Sequence, residues 1–326
     1  MLRRVSVALA SSPPDLDGSP GDLAGWVCLL GSLDIRPFWP VSMADIADYF
    51  RASEMPRSIN RDTQLCMSLS GRPGNFGTRF QNFLYEALNL NFVYKAFTTK
   101  DLPAAIAGIR ALGIRGCAVS MPFKEACIAL VDDIDASAQA IASVNTIVND
   151  DGLLRAYNTD YIAIRKLIER YRISPQTRVV LRGSGGMAKA VACAFRDAGF
   201  LSGHIVARNK ARGRGLADVC GYAWAADTSG LNAELLVNVT PIGMEGGAEV
   251  DALAFSREDV GAAGMVFDVV ALPVLTPVVR LAQSLGKPVI SGAEVIVLQA
   301  VEQFVLYTGV RPDDALIEQA AAHALS

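Results

Sequence analysis

The apolar triplet Val179-Val180-Leu181 runs into Gly183-Ser184-Gly185-Gly186, and helical spacing follows over 187–198. A buried strand, a turn of small residues and an amphipathic helix, in that order, leave few folds open. The unit suits a doubly wound α/β sheet, where small residues let the backbone turn tightly and bring helix N-terminal N–H groups to a pyrophosphate. Gly183, Ser184, Gly185, Gly186, Met187 and Ala188 keep the first two glycines of the GxGxxG fingerprint, with Ala188 where the third would stand. They form the candidate cofactor-binding turn. The next strand pattern, 204–207, ends at Arg208, with Lys210 and Arg212 close behind. An NAD site usually offers a carboxylate there for the ribose hydroxyls, whereas a guanidinium fork suits a 2′-phosphate, so NADP is the favoured cofactor. A solvated basic loop at a helix start is the plainer reading of the same residues.

Upstream, 65–69, 92–97 and 116–120 read as strands. They are separated by helical spacing over 80–90 and by a helix that Asp101 caps, with Leu102, Ile106, Ile109 and Leu112 on one face. This βαβαβ run predicts a mainly parallel sheet. After a helix from Tyr161, strand patterns at 235–239, 265–269 and 289–290 continue the rhythm, and an apolar helix closes it over 293–307.

With 51% apolar residues and a net charge of -3, the 326-residue chain has an ordinary globular composition, too neutral for nucleic acid as a main partner. Its best candidate for a span, 26–33, is too short to cross a bilayer. Six cysteines without a CxxC pair favour a reducing cytoplasm. The two histidines, His204 and His323, stand far from other candidate ligands, so neither a histidine triad nor a metal site is expected. Proton transfer then falls to Lys, Asp, Glu, Tyr or Cys. Residues 1–58, rich in Ser, Pro and Gly turns, read as a poorly ordered extension or as sequence upstream of a true start at Met43 or Met55.

Lys124 follows Met121-Pro122-Phe123, and Asp160 closes Asn158-Thr159-Asp160. Taken singly, Lys124 reads as a surface residue at a helix start, where the helix dipole disfavours a cation. Opposite Asp160, its ammonium has a different use: it would hydrogen-bond a substrate hydroxyl, stabilise an alkoxide and relay its proton. Asn145 and Asn158 are candidates to orient hydroxyls, or turn residues.

Ser120-Met121-Pro122-Phe123-Lys124-Glu125, Ser143-Val144-Asn145-Thr146-Ile147 and Asn158-Thr159-Asp160, followed by the 238–244 and 299–304 segments, resemble the shikimate dehydrogenases over residues 62–310. The resemblance implies a substrate domain at 59–158, an NADP-binding Rossmann domain at 159–291, and C-terminal helices at 292–326 that return to the substrate side. It also implies that Lys124 and Asp160 are the catalytic pair and that Asn145 and Gln299 bind substrate hydroxyls. By the same carry-over Arg208 and Arg212 hold the 2′-phosphate, with Thr240 and Met244 on the cofactor.

The departures fall around the substrate carboxylate. The family's serine-x-serine segment is replaced by Gly71-Arg72-Pro73-Gly74-Asn75-Phe76-Gly77-Thr78-Arg79. Ala118 and Ala271 stand where an asparagine and a tyrosine are usual, and Tyr161 where a glycine is. These changes look like the shikimate dehydrogenase-like subgroup. A buried carboxylate still needs donors, and Thr78 or Arg79, helped by Ser120, is expected to supply them. The implied function is an NADP-dependent interconversion of 3-dehydroshikimate and shikimate, or of a close analogue such as quinate, by a monomer or homodimer. The alternatives are a catalytically weak NADP-binding paralogue with a sensing role and a related enzyme of folate or aminoshikimate chemistry.

Overall fold

The run Gln64–Leu69 (β1) pairs in parallel with Phe92–Phe97 (β2), and the helix Phe76–Ala87 (α1) connects them. The helix begins four residues earlier than its apolar spacing predicts, and Phe76 in its first turn stacks on Phe80 with ring centroids 5.5 Å apart. It ends earlier too, where Asn89 takes a φ of 48°. Asp101 accepts the Ala104 N–H at 3.0 Å to open Leu102–Ala111 (α2), and Gly116–Val119 (β3) returns beside β1. A turn carrying Lys124 and a 3-10 helix, Ala126–Leu130, lead to Asp133–Ile134 (β4) and Ala136–Gln139 (α3).

The chain direction then reverses. Thr146–Asp150 (β5) runs antiparallel to β3, and Leu153–Tyr157 (β6) antiparallel to β5, giving the order β2-β1-β3-β5-β6-β4. Three of its five pairings are parallel, so the sheet is mainly parallel as predicted, with β5 antiparallel to both of its neighbours. The turn is Asp151-Gly152, with φ of 50° and 93°. Two left-handed residues match the strand twist in a two-residue hairpin, and an Asp-Gly pair is the usual way to supply them. That pair is the sequence signal of the hairpin.

The helix Thr159–Arg170 (α4) leads to the second sheet. Its elements are Val179–Arg182 (β7), Gly186–Asp197 (α5), Gly203–Val206 (β8), Lys210–Cys220 (α6) and Ala223–Ala225 (β9). Leu235–Asn238 (β10), Arg257–Ala262 (α7), Met265–Asp268 (β11), Pro277–Ser284 (α8) and Val289–Ile290 (β12) complete it. All neighbours are parallel, in the order β12-β11-β10-β7-β8-β9. Renumbered within this sheet the order is 3-2-1-4-5-6 from the far edge, the dinucleotide-binding arrangement, with its switch point between β7 and β10. Burial on both faces explains the unbroken apolar runs Val179-Val180-Leu181 and Leu235-Leu236-Val237.

The helix Gly292–Thr308 (α9) serves both sheets: Val295 and Leu298 join the core of α4 and α5, while Val301, Phe304 and Tyr307 pack with Phe80, Leu84 and Tyr85. Asp314–Leu325 (α10) closes the same core through Ala320 and Ala324. The computed structural model describes residues 59–139 and 141–326, which form one compact unit. The segment 1–58, read above as an extension, lies outside the described residues. Among the described residues no helix is long and apolar enough to cross a membrane.

Candidate active site

Three segments meet where the first sheet gives way to α4. Lys124 Nζ donates to Asp160 Oδ2 at 2.7 Å, with side chains 25% and 11% exposed. Asp160 lies in the first turn of α4, where the helix dipole favours an anion. Lys124 stands on a turn outside any α-helix, so the dipole penalty expected for it does not arise. Backbone bonds hold the pair together: Val144 N–H donates to the Lys124 carbonyl at 3.0 Å, Val119 N–H to the Asn145 carbonyl at 2.7 Å, and Asn145 N–H to Tyr157 O at 3.0 Å.

The two asparagines part company here. Asn158 is a cap: its Oδ1 accepts the Tyr161 N–H at 2.9 Å and its Nδ2 donates to Ser143 O at 2.8 Å. Asn145 Oδ1 is also committed, accepting from Thr159 N–H at 2.7 Å and from the hydroxyls of Thr146 and Thr159 at 2.9 and 3.1 Å. Its Nδ2, however, is buried with no hydrogen-bond partner among the described residues. Leaving such a donor unmet costs about 1–3 kcal/mol, and a ligand hydroxyl would satisfy it.

Gln299 is half-buried on α9. One turn on, Gln303 is buried and donates to Thr146 Oγ1 at 3.2 Å, tying α9 to the segment that carries Asn145. Gln303 is not among the sequence candidates, although its i, i+4 relation to Gln299 puts both on one helix face. Ser120 is exposed at the end of β3, and Thr78 is half-buried in the first turn of α1. Arg79 points elsewhere than expected: it donates to Ser326 Oγ at 2.8 Å, at the end of the last helix. Tyr161, where a glycine is usual, reaches Asp197 Oδ2 at 2.9 Å and braces α4 on α5.

At the second sheet, Gly183 has a φ of 136°, and a Cβ there would stand 2.8 Å from Val239 O, so only glycine fits. Gly185 caps α5, and no atom lies within 4 Å of a Cβ built on Gly185 or Gly186. Their backbone thus faces open space at a helix N-terminus without an acidic residue, the environment an anion requires. Met187 is half-buried, and Ala188 is fully buried where the third glycine would be. A cavity of about 510 Å³ beside this turn is lined by Ser184, Gly185, Gly186, Lys189, Arg212 and Glu125, among others. Lys189 pairs with Glu125 at 3.2 Å.

Arg208 is largely exposed and faces Glu249 at 3.6 Å, a pairing with no sequence signal. Lys210 and Arg214 lean on the Trp224 ring, 5.8 and 5.2 Å from its centroid. Thr240 donates to Asn238 Oδ1 at 2.6 Å, and Asn238 Nδ2 to Asp268 Oδ1 at 2.9 Å. Burial raises the Asp268 carboxyl above its ordinary value, against the pull of the donors Thr276, Val270 and Asn238. Met244 is exposed on the same loop.

A family model described as the shikimate dehydrogenase substrate binding domain matches residues 77–147. The shikimate dehydrogenase-like protein of Haemophilus influenzae is 62% identical over 266 residues, covering 82% of this chain and 98% of that protein. A solved shikimate 5-dehydrogenase-like protein is 61% identical with a TM-score of 0.81, over 82% of this chain and 100% of its own. Shikimate 5-dehydrogenase of Thermus thermophilus, solved with NADP(H) and shikimate, is 29% identical with a TM-score of 0.73, over 80% of this chain and 100% of its own. Identity and coverage at the level of the Haemophilus relative mean that this chain belongs to the shikimate dehydrogenase family.

Proposed function

We propose that this protein is an NADP-dependent dehydrogenase interconverting 3-dehydroshikimate and shikimate, or a close analogue such as quinate. The observation that carries the reading is the Lys124–Asp160 contact at 2.7 Å beside the partnerless Nδ2 of Asn145. The Thermus relative, with NADP(H) and shikimate in its structure, supports both cofactor and substrate class.

The residues present fit the cofactor. The open backbone at Gly185 and Gly186 suits a pyrophosphate, and Arg208 and Arg212 are the cations for a 2′-phosphate. Thr240 and Met244 follow β10 at the switch point, where a bound nicotinamide end belongs. When bound, the cofactor supplies hydride to the ketone carbon or takes it from the alcohol carbon. Lys124 donates a hydrogen bond to the reacting oxygen and gives it a proton as charge develops there; in the reverse direction it takes the proton back. Asp160 holds the ammonium in place and balances its charge at a partly buried position. Asn145 Nδ2 donates to a neighbouring ring hydroxyl, and Gln299 orients another. Among the described residues five cysteines are buried and none forms a disulfide, which fits a reducing compartment such as the cytoplasm.

Steady-state NADPH oxidation with 3-dehydroshikimate tests the reading, run beside NADP and NAD reduction with shikimate, quinate and aminoshikimate. Turnover with a shikimate-type acid is expected. NADP binding without turnover of any of these acids would favour the sensing paralogue.

A further inference from the structure

Ser70 follows the last residue of β1. It is only 8% exposed, yet its hydroxyl has no hydrogen-bond partner among the described residues. Its backbone continues the sheet: Ser70 N–H donates to Phe97 O at 3.2 Å, and on the other side Ser120 N–H donates to Leu69 O at 2.9 Å. In the β1–β3 register Ser68 stands opposite Ala118 and Leu69 opposite Val119. The ladder ends at that pair, and the Ser120 N–H on Leu69 O places Ser120 beside the Leu69–Ser70 peptide.

Alternation decides the face. Met67 and Leu69 enter the core that includes Ile106 and Ile109 of α2. Cys66 enters the core of α1 and α9, and Ala118 packs against it. Ser70 continues that second series, on the side where Gln303 of α9 reaches Thr146. The neighbouring Gly71 N–H donates to Met121 O at 2.9 Å, so this end of β1 is tied to the turn that carries Lys124. Ligands of open α/β sheets lie at this carboxyl edge of the parallel strands.

A carboxylate bound there needs hydroxyl or N–H donors. The serine-x-serine segment is absent, and Arg79 gives one N–H to Ser326 at the end of the last helix. We infer that Ser70 and Ser120, near each other at the ends of β1 and β3, form a two-hydroxyl cradle for the substrate carboxylate, standing in for the absent serine-x-serine pair. The cradle rests on the dehydrogenase reading. A serine hydroxyl swings between three staggered positions about χ1, and Ser70 has no hydrogen bond to break in doing so.

Calorimetric binding of shikimate to the full chain, beside the analogue in which CH2OH replaces the carboxylate, tests the cradle. Wild type is expected to prefer the acid. Ser70→Ala should weaken the acid about tenfold, as loss of one hydrogen bond to a charged group predicts, and the alcohol by no more than about twofold. Ser120→Ala should behave alike. Ser70→Ala should keep or raise Tm, because the hydroxyl it removes has no partner; a purely structural serine would lower it. Unchanged acid affinity, equal losses for acid and alcohol, or a lowered Tm overturns the cradle. A wild type that binds neither compound overturns the dehydrogenase reading and the cradle with it.

Discussion

Asn145 Oδ1 lies 2.7 Å from the backbone N–H of Thr159, and this contact sets where Asp160 stands relative to Lys124. Asp160 is the next residue along, and the Lys124 carbonyl is held by Val144, the residue before Asn145. One side chain thus couples the two segments that carry the ionic pair. Asn145→Ala deletes three accepted hydrogen bonds as well as the free donor. The expected cost is about 2 kcal/mol or more of stability, at the usual net worth of each bond, together with a fall in kcat. Urea unfolding and steady-state kinetics on the same preparation check both; full stability would mean that the Thr159 contact holds nothing.

Lys124→Ala removes the group placed to move the proton. Turnover should fall about 10²- to 10⁴-fold, while NADP affinity stays within about twofold, because the glycine turn belongs to the other sheet. Fluorescence titration of NADPH beside the kinetics separates the two effects. Retained turnover would remove Lys124 from the mechanism.

Gly183→Ala forces a Cβ to within 2.8 Å of Val239 O at a φ of 136°. Backbone strain of this kind costs on the order of 1–3 kcal/mol. The variant should show a lowered Tm and little of the stabilisation that NADP confers on wild type. Differential scanning fluorimetry with and without NADP reads both. A normal NADP-induced shift would argue that the turn does not meet the cofactor.

Arg208 and Glu249 should act with opposite sign. Arg208→Ala is expected to raise the KM for NADP about tenfold and leave that for NAD nearly unchanged, as loss of a guanidinium–phosphate contact predicts. Glu249→Gln removes the carboxylate 3.6 Å from Arg208. With both groups exposed, it should lower the KM for NADP by only about two- to fivefold. Equal effects of either variant on NADP and NAD would place Arg208 away from the 2′-phosphate.

Burial pushes the Cys66 thiol up to about 12 and the Cys127 thiol to about 11, from an ordinary 9.0. Both stay protonated in the fold at pH 8, so native iodoacetamide labelling followed by peptide mass spectrometry should leave them unmodified. Because the folded values are raised, their contribution to stability is intact below pH 9 and is lost as pH climbs through 11 to 12. Unfolding midpoints should therefore fall on the alkaline side of pH 9. Ready native alkylation of Cys66 would contradict its burial.

Much of the fold is legible in the chain because its causes are local. The apolar runs of β7 and β10, the Asp101 cap and the left-handed Gly183 each depend on a few neighbouring residues, and so does the Asp-Gly turn of the β5–β6 hairpin. The order of strands and helices, and a phosphate-binding turn with cations one strand later, follow from such signals. The family motifs likewise mark Lys124, Asn145 and Asp160 as one constellation.

Only the tertiary structure decided which polar groups are free. Asn145 and Asn158 look alike in the chain, yet capping uses up Asn158, while Asn145 keeps an unspent donor because its partners take only its oxygen. Arg79 stands at a helix start in the sequence but meets Ser326, which is 247 residues away. Ser120 meets the Leu69–Ser70 peptide only because β3 pairs with β1. A side chain has a fixed number of donors and acceptors, and packing distant segments together determines which of them are spent.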